Sequence, residues 1–318
     1  MSLKINITQF ASVCIVIFQI FLLGCSEVST RHDSVERQDK AGNWVAKIVG
    51  EIKSPEITES SGLANSPCQP EVLWTHNDSG GEPFIFAINK KGEHLATLHV
   101  LKAQNRDWED LAIREEAPGE CYIYVGDIGN NRKTNQIFTI YKIKEPKISE
   151  IAVSNNRSNV SATVVQSIRF KYPYSSKDAE ALIVHPQSGD LYLLTKNLAE
   201  FSEIYKLRAQ DIKKDAINTL QLIGRIELPS IPGGLITGAS VSLDGRKVVM
   251  CDYLGIYEIK LPEASDYFDD IWLQKPQSVD SLPRAQGEAV AYSVDGNIIF
   301  ATSEQRNSPL IMITRTEK

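Results

Sequence analysis

From Trp44 onward the chain alternates short hydrophobic runs with polar turns, and no run is long enough for the core-facing side of a substantial helix. In the first run Trp44, Ala46, Ile48 and Ile52 fall on one face while Lys47 and Glu51 fall on the other, the period-two pattern of a half-buried strand. Ser61-Gly62-Leu63-Ala64 follows, then Val72-Leu73-Trp74-Thr75, Phe84-Ile85-Phe86-Ala87-Ile88 and His94 to Leu101, separated by turns at Gly80-Gly81 and Asn89-Lys90-Lys91-Gly92. A second set has the same order: Leu111-Ala112-Ile113, Tyr122 to Val125, Phe138 to Ile143 and Val165 to Tyr172, with a polar insertion around Ser154 to Ser161. A third starts at Glu180 and continues with Leu191 to Thr195 and Glu203 to Leu207; Ala209 to Leu220 is the one stretch expected to form a short helix. The fourth (Ala239 to Leu243, Val248 to Asp252, Ile256 to Leu261) and the fifth (Ala289 to Val294, Ile298 to Thr302, Leu310 to Thr314) each turn at Asp-Gly, at Asp244-Gly245 and Asp295-Gly296.

The anchors of the sets, Ser61, Glu109, Glu180, Thr237 and Glu288, stand 48, 71, 57 and 51 residues apart, the length of a four-stranded unit. The last set lacks a fourth strand, and the chain begins with one strand too many. The expectation is therefore an all-β fold, a β-propeller of five four-stranded blades closed into a ring by the N-terminal strand. Six blades is the alternative count, reached if the long second gap hides another. A β-sandwich is the competing architecture, and it accounts for neither the recurrences nor the displaced first strand.

The chain has 318 residues, 42% hydrophobic and 23% charged, enough for a sizeable core. A net charge of -6 offers no basic face to replace the counterions of a nucleic acid, so that class of partner is excluded. The one long apolar run, Phe10 to Gly24 behind Lys4, has the length and flanks of a secretory leader. Its end, Leu22-Leu23-Gly24-Cys25, resembles the bacterial lipoprotein processing box, which implies cleavage before Cys25 and lipidation of that residue. The organisation expected is then a signal peptide over 1–24, a lipidated Cys25 with a flexible tether over 25–43, and a single domain over 44–318. An ordinary secretory leader or a single-pass anchor is the alternative. The implied address is the bacterial cell envelope, with the membrane as partner through the lipid. Ser26 after the Cys favours the outer membrane, facing the periplasm or the cell surface. Of the remaining cysteines, Cys68 and Cys121 occupy equivalent turns of consecutive sets, where a disulfide and two free thiols are both open, and Cys251 reads as a small core residue.

Three stretches, Trp74-Thr75-His76-Asn77-Asp78-Ser79-Gly80-Gly81, Asp107-Trp108-Glu109-Asp110-Leu111-Ala112 and Gly126-Asp127-Ile128-Gly129-Asn130-Asn131-Arg132, resemble signatures of a family of exported bacterial propeller proteins of unknown activity. The Glu-Ala-Leu and Gly-Glu-Ala-Val echoes are more loosely similar to phytase-like and SdiA-regulated-like propellers. The Asp-Asp-Pro-Ala stretch associated with phytase propellers is missing.

In such a ring the inner-strand starts gather at one channel mouth. Glu109, Asp110, Asp127, Glu180, Asp252 and Glu288 are the candidate ligands of a hard cation such as Ca²⁺, which prefers several carboxylate oxygens; no other cofactor is implied. His76, Asn77, Asp78, Trp108 and Arg132 are the candidate ligand contacts. The same carboxylates also suit a structural role, accepting backbone N–H groups of the neighbouring blade, and Ser61 and Thr237 suit that role too. Zinc spacing, a G-x-S-x-G elbow and phosphate-binding glycine loops are absent from the sequence. The expected function is a membrane-anchored module that binds a small molecule or a protein; the alternative is a Ca²⁺-dependent hydrolase of phosphoesters or lactones.

Overall fold

Apolar alternation closed by Gly, Asn and Asp turns produces strands that nearly all pair antiparallel with their sequence neighbours. The computed structural model describes residues 36–38, 43–152, 160–279 and 281–316. The leader, Cys25, most of the tether and the centre of the polar insertion lie outside the described residues. The chain opens with β1 (Glu36–Gln38) and β2 (Trp44–Glu51). The first set is β3 (Ser60–Asn65), β4 (Val72–Asn77), β5 (Phe84–Asn89) and β6 (His94–Leu101). The second is β7 (Trp108–Ala117), β8 (Glu120–Asp127), β9 (Phe138–Lys144) and β10 (Val160–Lys171), with a short helix α1 (Ile148–Ala152) before β10. The third comprises β11 (Ala179–Val184), β12 (Leu191–Thr195) and β13 (Ser202–Leu207); a two-residue β14 (Asn218–Thr219) precedes its fourth strand, β15 (Gln221–Ile226). The fourth is β16 (Gly238–Val241), β17 (Lys247–Cys251), β18 (Ile256–Lys260) and β19 (Gln277–Val279). The fifth has β20 (Gly287–Tyr292), β21 (Ile298–Ser303) and β22 (Pro309–Arg315), and β2 supplies its missing strand, pairing antiparallel with β22 from Trp44 opposite Arg315 to Glu51 opposite Pro309. All described residues belong to one unit, Val35–Lys318.

The first strands of the sets lie against one another in a closed circuit: β3 against β7, β7 against β11, β11 against β16, β16 against β20, and β20 against β3. Five apolar cores follow the same circuit, each shared by two consecutive sets. Trp74 and Leu98 meet Trp108 and Val125; Phe138 and Phe170 meet Leu182 and Leu193; Tyr192 and Ile204 meet Met250 and Trp272. Val249 and Cys251 meet Val290 and Ile311, and Phe300 and Leu310 return to Leu63 and Phe86. Fully burying side chains of this size stabilises by about 1.5–3 kcal/mol each, so the sets hold one another together.

Where the first strands of the sets meet, the approach is close. A Cβ on Gly238 would lie 2.4 Å from the Glu288 carbonyl oxygen, so only glycine lets β16 and β20 meet there. Hydroxyls and one carboxylate join the inner strands. Ser61 Oγ donates to the Glu109 carbonyl (2.9 Å) and Thr237 Oγ1 to the Gly287 carbonyl (2.7 Å). Asp110 Oδ2 accepts the Leu182 N–H at 2.9 Å and the Ala239 N–H at 3.5 Å, while Oδ1 accepts the Leu111 N–H at 2.8 Å.

Three features depart from the expectation. The fourth strand of the second set starts at Val160 rather than Val165, and its first residues pair in parallel with Leu98 to Leu101 of β6, fusing the first two sets into one continuous sheet. That pairing satisfies an edge whose backbone groups would otherwise face water. Ala209 to Leu220 is not a helix beyond the 3₁₀ turn Ala209–Asp211. Asn218 accepts the Lys213 N–H and donates to the Lys213 and Arg169 carbonyls, and such side-chain bonds favour a loop over a helix. A second 3₁₀ segment, Phe268–Leu273, buries Phe268, Ile271 and Trp272 in the core between the third and fourth sets. Cys68 and Cys121 form a disulfide, Cα–Cα 6.1 Å, tying the β3–β4 turn to the start of β8. Cys251 is free and buried.

Candidate functional site

Each inner strand that begins with a glutamate begins with a β-bulge, and the glutamate is the extra residue. Trp108 pairs with Asp127 and Asp110 with Gly126, which leaves Glu109 unopposed; Glu180 and Glu288 are left out of their ladders in the same way. A bulge breaks the alternation and re-aims the side chain, so these carboxylates leave the sheet faces. Glu109 and Glu180 meet three aspartates from the adjoining loops. Carboxylate oxygens of Asp78, Asp107 and Glu109 all lie within 4.8 Å of one another, as do those of Glu109, Asp178 and Glu180. Glu109 belongs to both groups. It is 4% exposed, and among the described residues its carboxylate has no hydrogen-bond or ion-pair partner.

The loop after β8 shapes this pocket. Asp127 Oδ1 accepts the Asp107 N–H at 2.9 Å, and the Asp107 carbonyl accepts the N–H groups of Ile128 and Gly129, each at 3.1 Å. The Asn130 N–H donates to Asp178 Oδ1 at 2.6 Å. Gly129 has no side chain to spare: a Cβ there would sit 1.9 Å from Glu109 Oε1 and 2.6 Å from Asp107 Cγ. On the other side Lys196 ion-pairs with Glu180, and its Nζ donates to the Tyr253 hydroxyl at 3.0 Å. Glu288 accepts from Gln286 Nε2 at 2.8 Å, and the same amide reaches Glu304.

Crowded carboxylates taken from water resist ionisation. Burial raises Glu109 well above the carboxylate range, and Glu180, Asp78 and Asp107 add to the effect. Asp78 is pushed up to about 6 by burial and then by Glu304, Asp107 and Glu59. Burial and the Glu180 charge likewise raise Glu288, to about 9. Burial raises Glu180 too, against the pull of Lys196. Desolvation opposes the Lys196 charge, but Glu180 and Tyr253 together outweigh it and hold the ammonium protonated.

The remaining residues singled out in the sequence lie around this pocket in several roles. The Asp110 carboxyl is fully buried and turned onto its three backbone N–H partners. Asp127 holds the Asp107 backbone and faces Arg106 at 3.5 Å, and burial lifts it to about 6. Asp252 accepts the N–H groups of Leu254 (2.8 Å) and Gly255 (2.5 Å) and the Tyr257 hydroxyl (3.2 Å), closing its own turn. Asn77 bonds the N–H groups of Thr58 and Glu59 and the Glu56 carbonyl, pinning the segment that leads into β3. Trp108 is buried in the core, its Nε1 donating to the Gln104 carbonyl at 2.9 Å. His76 stands edge-on to Trp108, its ring buried, and burial lowers it to about 4. Its Nδ1 bonds the Asn77 carbonyl at 2.8 Å, which leaves Nε2 as an acceptor with no partner among the described residues. Arg132 is exposed, and its charge acts on Asp107. Asp178 went unnoticed in the sequence, although Asp178-Ala179-Glu180 repeats the spacing of Asp107-Trp108-Glu109.

No known protein family matches the sequence, and no curated protein is similar to it.

Proposed function

We propose that this protein is a five-bladed β-propeller, exported and lipid-anchored at the bacterial envelope through Cys25, that binds a positively charged ligand at the acidic mouth of its central channel. The five sheet sets, the circuit of inner strands and the five cores shared around it support the architecture. The Cys68–Cys121 disulfide supports an oxidising compartment. The resemblance of the three signature stretches to exported propellers of unknown activity points the same way.

One observation carries the binding role: the Glu109 carboxylate is buried beside four others and has no partner of its own. A structural joint would give it a hydrogen-bond partner, as Asp110, Ser61 and Thr237 have. Burying an uncompensated carboxylate costs several kcal/mol, and a cationic ligand offsets that cost. The same carboxylates would serve the alternative, metal-dependent hydrolysis of phosphoesters or lactones, in which a bound cation activates water.

The test is thermal unfolding of wild type and Glu109→Gln in calcium chloride and, separately, in spermidine. At least one of the two cations is expected to raise the wild-type Tm, with the rise lost in Glu109→Gln. A wild-type Tm indifferent to both overturns the reading. Turnover of a phosphoester or lactone by wild type, lost in Glu109→Gln, would move the conclusion to the hydrolase. Palmitate labelling of wild type and not of Cys25→Ala is expected; equal labelling removes the anchor.

A further inference from the structure

The two carboxylate groups that share Glu109 are not equivalent. The group of Glu109, Asp178 and Glu180 contains its own positive charge, because Lys196 ion-pairs with Glu180 and its backbone N–H bonds the Asp178 carbonyl at 3.0 Å. The group of Asp78, Asp107 and Glu109 has no such resident. Among the described residues no lysine or arginine makes an ion pair with any of the three; Arg106, Lys196 and Arg132 act on Asp107 only through their charge, and Arg106 pairs with Asp127. Asp78 Oδ1 is buried without a hydrogen-bond partner, and Glu109, a buried residue, has no hydrogen-bond or ion-pair partner for its carboxylate among the described residues. Two unsatisfied acidic groups within reach of one point, in a cluster whose Asp107 and Glu109 feel the Lys196 charge without pairing to it, describe half of a charge-balanced pair of positions.

We propose that Asp78, Asp107 and Glu109 bind a hard divalent cation, calcium, and that Lys196 is the built-in cation of the adjoining half. The donors are oxygens alone, without His or Cys, a set that suits a hard cation better than zinc or copper. Oxygens within 4.8 Å of one another have about the spacing of ligands around one ion, since two oxygens at the Ca–O distance of about 2.3–2.6 Å stand at most about 5 Å apart. They come from three positions in two loops and a bulge, a flexible assembly that suits calcium better than the strict octahedron of magnesium. Gly129 is the floor of the site, since its missing Cβ is what leaves room for Glu109 Oε1 and the Asp107 carboxylate. This assignment rests on the reading of the mouth as a binding site and narrows its ligand.

The test is calorimetric titration of the full chain in detergent, stripped of metal by chelator, with calcium chloride, magnesium chloride and spermidine in parallel. Wild type is expected to bind one calcium ion per chain, and magnesium about tenfold more weakly or less tightly still. Asp78→Asn, which keeps size and loop geometry, should weaken calcium binding by about tenfold or more. Gly129→Ala should do the same while every carboxylate remains. Lys196→Met should raise the stoichiometry to two, with Glu109 bridging the two ions; a stoichiometry that stays at one would overturn the role given to the lysine. Absence of calcium binding in wild type, or an affinity unchanged in Asp78→Asn and Gly129→Ala, overturns the site. Spermidine binding without calcium binding sinks the calcium site but leaves the binding mouth standing, and loss of both sinks the two together.

Discussion

Glu109 and Asp110 are neighbours in the chain with opposite surroundings. Asp110 serves three backbone N–H groups on β7, β11 and β16, whereas the Glu109 carboxylate has none. Asp110→Ala leaves buried donors unsatisfied on several inner strands, and a loss of about 3 kcal/mol or more in urea unfolding is expected. Glu109→Gln, measured in chelator, should unfold later than wild type, because it removes an uncompensated acid from a crowded pocket. A Glu109→Gln protein less stable than wild type would show that the carboxylate has a structural partner. Two adjacent acidic residues thus separate, by the sign of one measurement, a joint from a binding group.

At the scale of elements, closure of the fifth set is non-local: β2 crosses almost the whole chain to pair with β22. A chain beginning at Ile52 leaves β22 as a bare edge, its backbone groups open to pairing with another copy. Such a chain is expected to run as higher-order species in size-exclusion chromatography, whereas a monomer with the wild-type spectrum would show that β2 is dispensable. The disulfide acts between the first and second sets, which already share a core and are fused through β10. Its residues stand 53 apart in sequence, and removing a bridge around a loop of that size costs about 2–5 kcal/mol. The double variant Cys68→Ser/Cys121→Ser should lose that much in denaturant and still unfold in a single transition, because the shared core and β10 keep the two sets coupled; a second transition would show that the bridge is what couples them.

The whole molecule is coupled to pH through the carboxylate pocket. Asp78, raised from 3.8 to about 6, holds a proton in the folded chain that the unfolded chain releases across that window. Folded stability from this group therefore falls as pH rises through about 6. His76, lowered from 6.5 to about 4, acts in the opposite direction, since the unfolded chain takes up a proton there first as pH falls. The raw stability curve mixes the two. The difference between wild type and Asp78→Asn isolates the carboxylate: the variant's Tm advantage in chelator should grow as pH rises through about 6. Calcium should narrow that difference on the alkaline side. A difference that does not vary with pH would mean that Asp78 ionises in the fold as it does in water.

The sequence by itself determined where the strands lie and how they group, because alternation and Gly, Asn or Asp turns are local properties of a few consecutive residues. It also determined that the last set was short of a strand and that Trp44 to Ile52 was available to fill it, since both follow from order along the chain. Only the tertiary structure decided which acids meet. Asp78 and Asp178 stand far apart in the chain and come together through Glu109 because β3, β7 and β11 pack side by side. The bulges that turn Glu109, Glu180 and Glu288 out of their ladders depend on the register against a second strand, which no single run of residues encodes. Asp127 and Asp252 looked alike at the ends of their strands, yet one braces the pocket through the Asp107 backbone and the other closes a turn. Residue type and spacing identify carboxylates; the partner each one finds, or lacks, is settled by contacts between sets that the chain brings together only on folding.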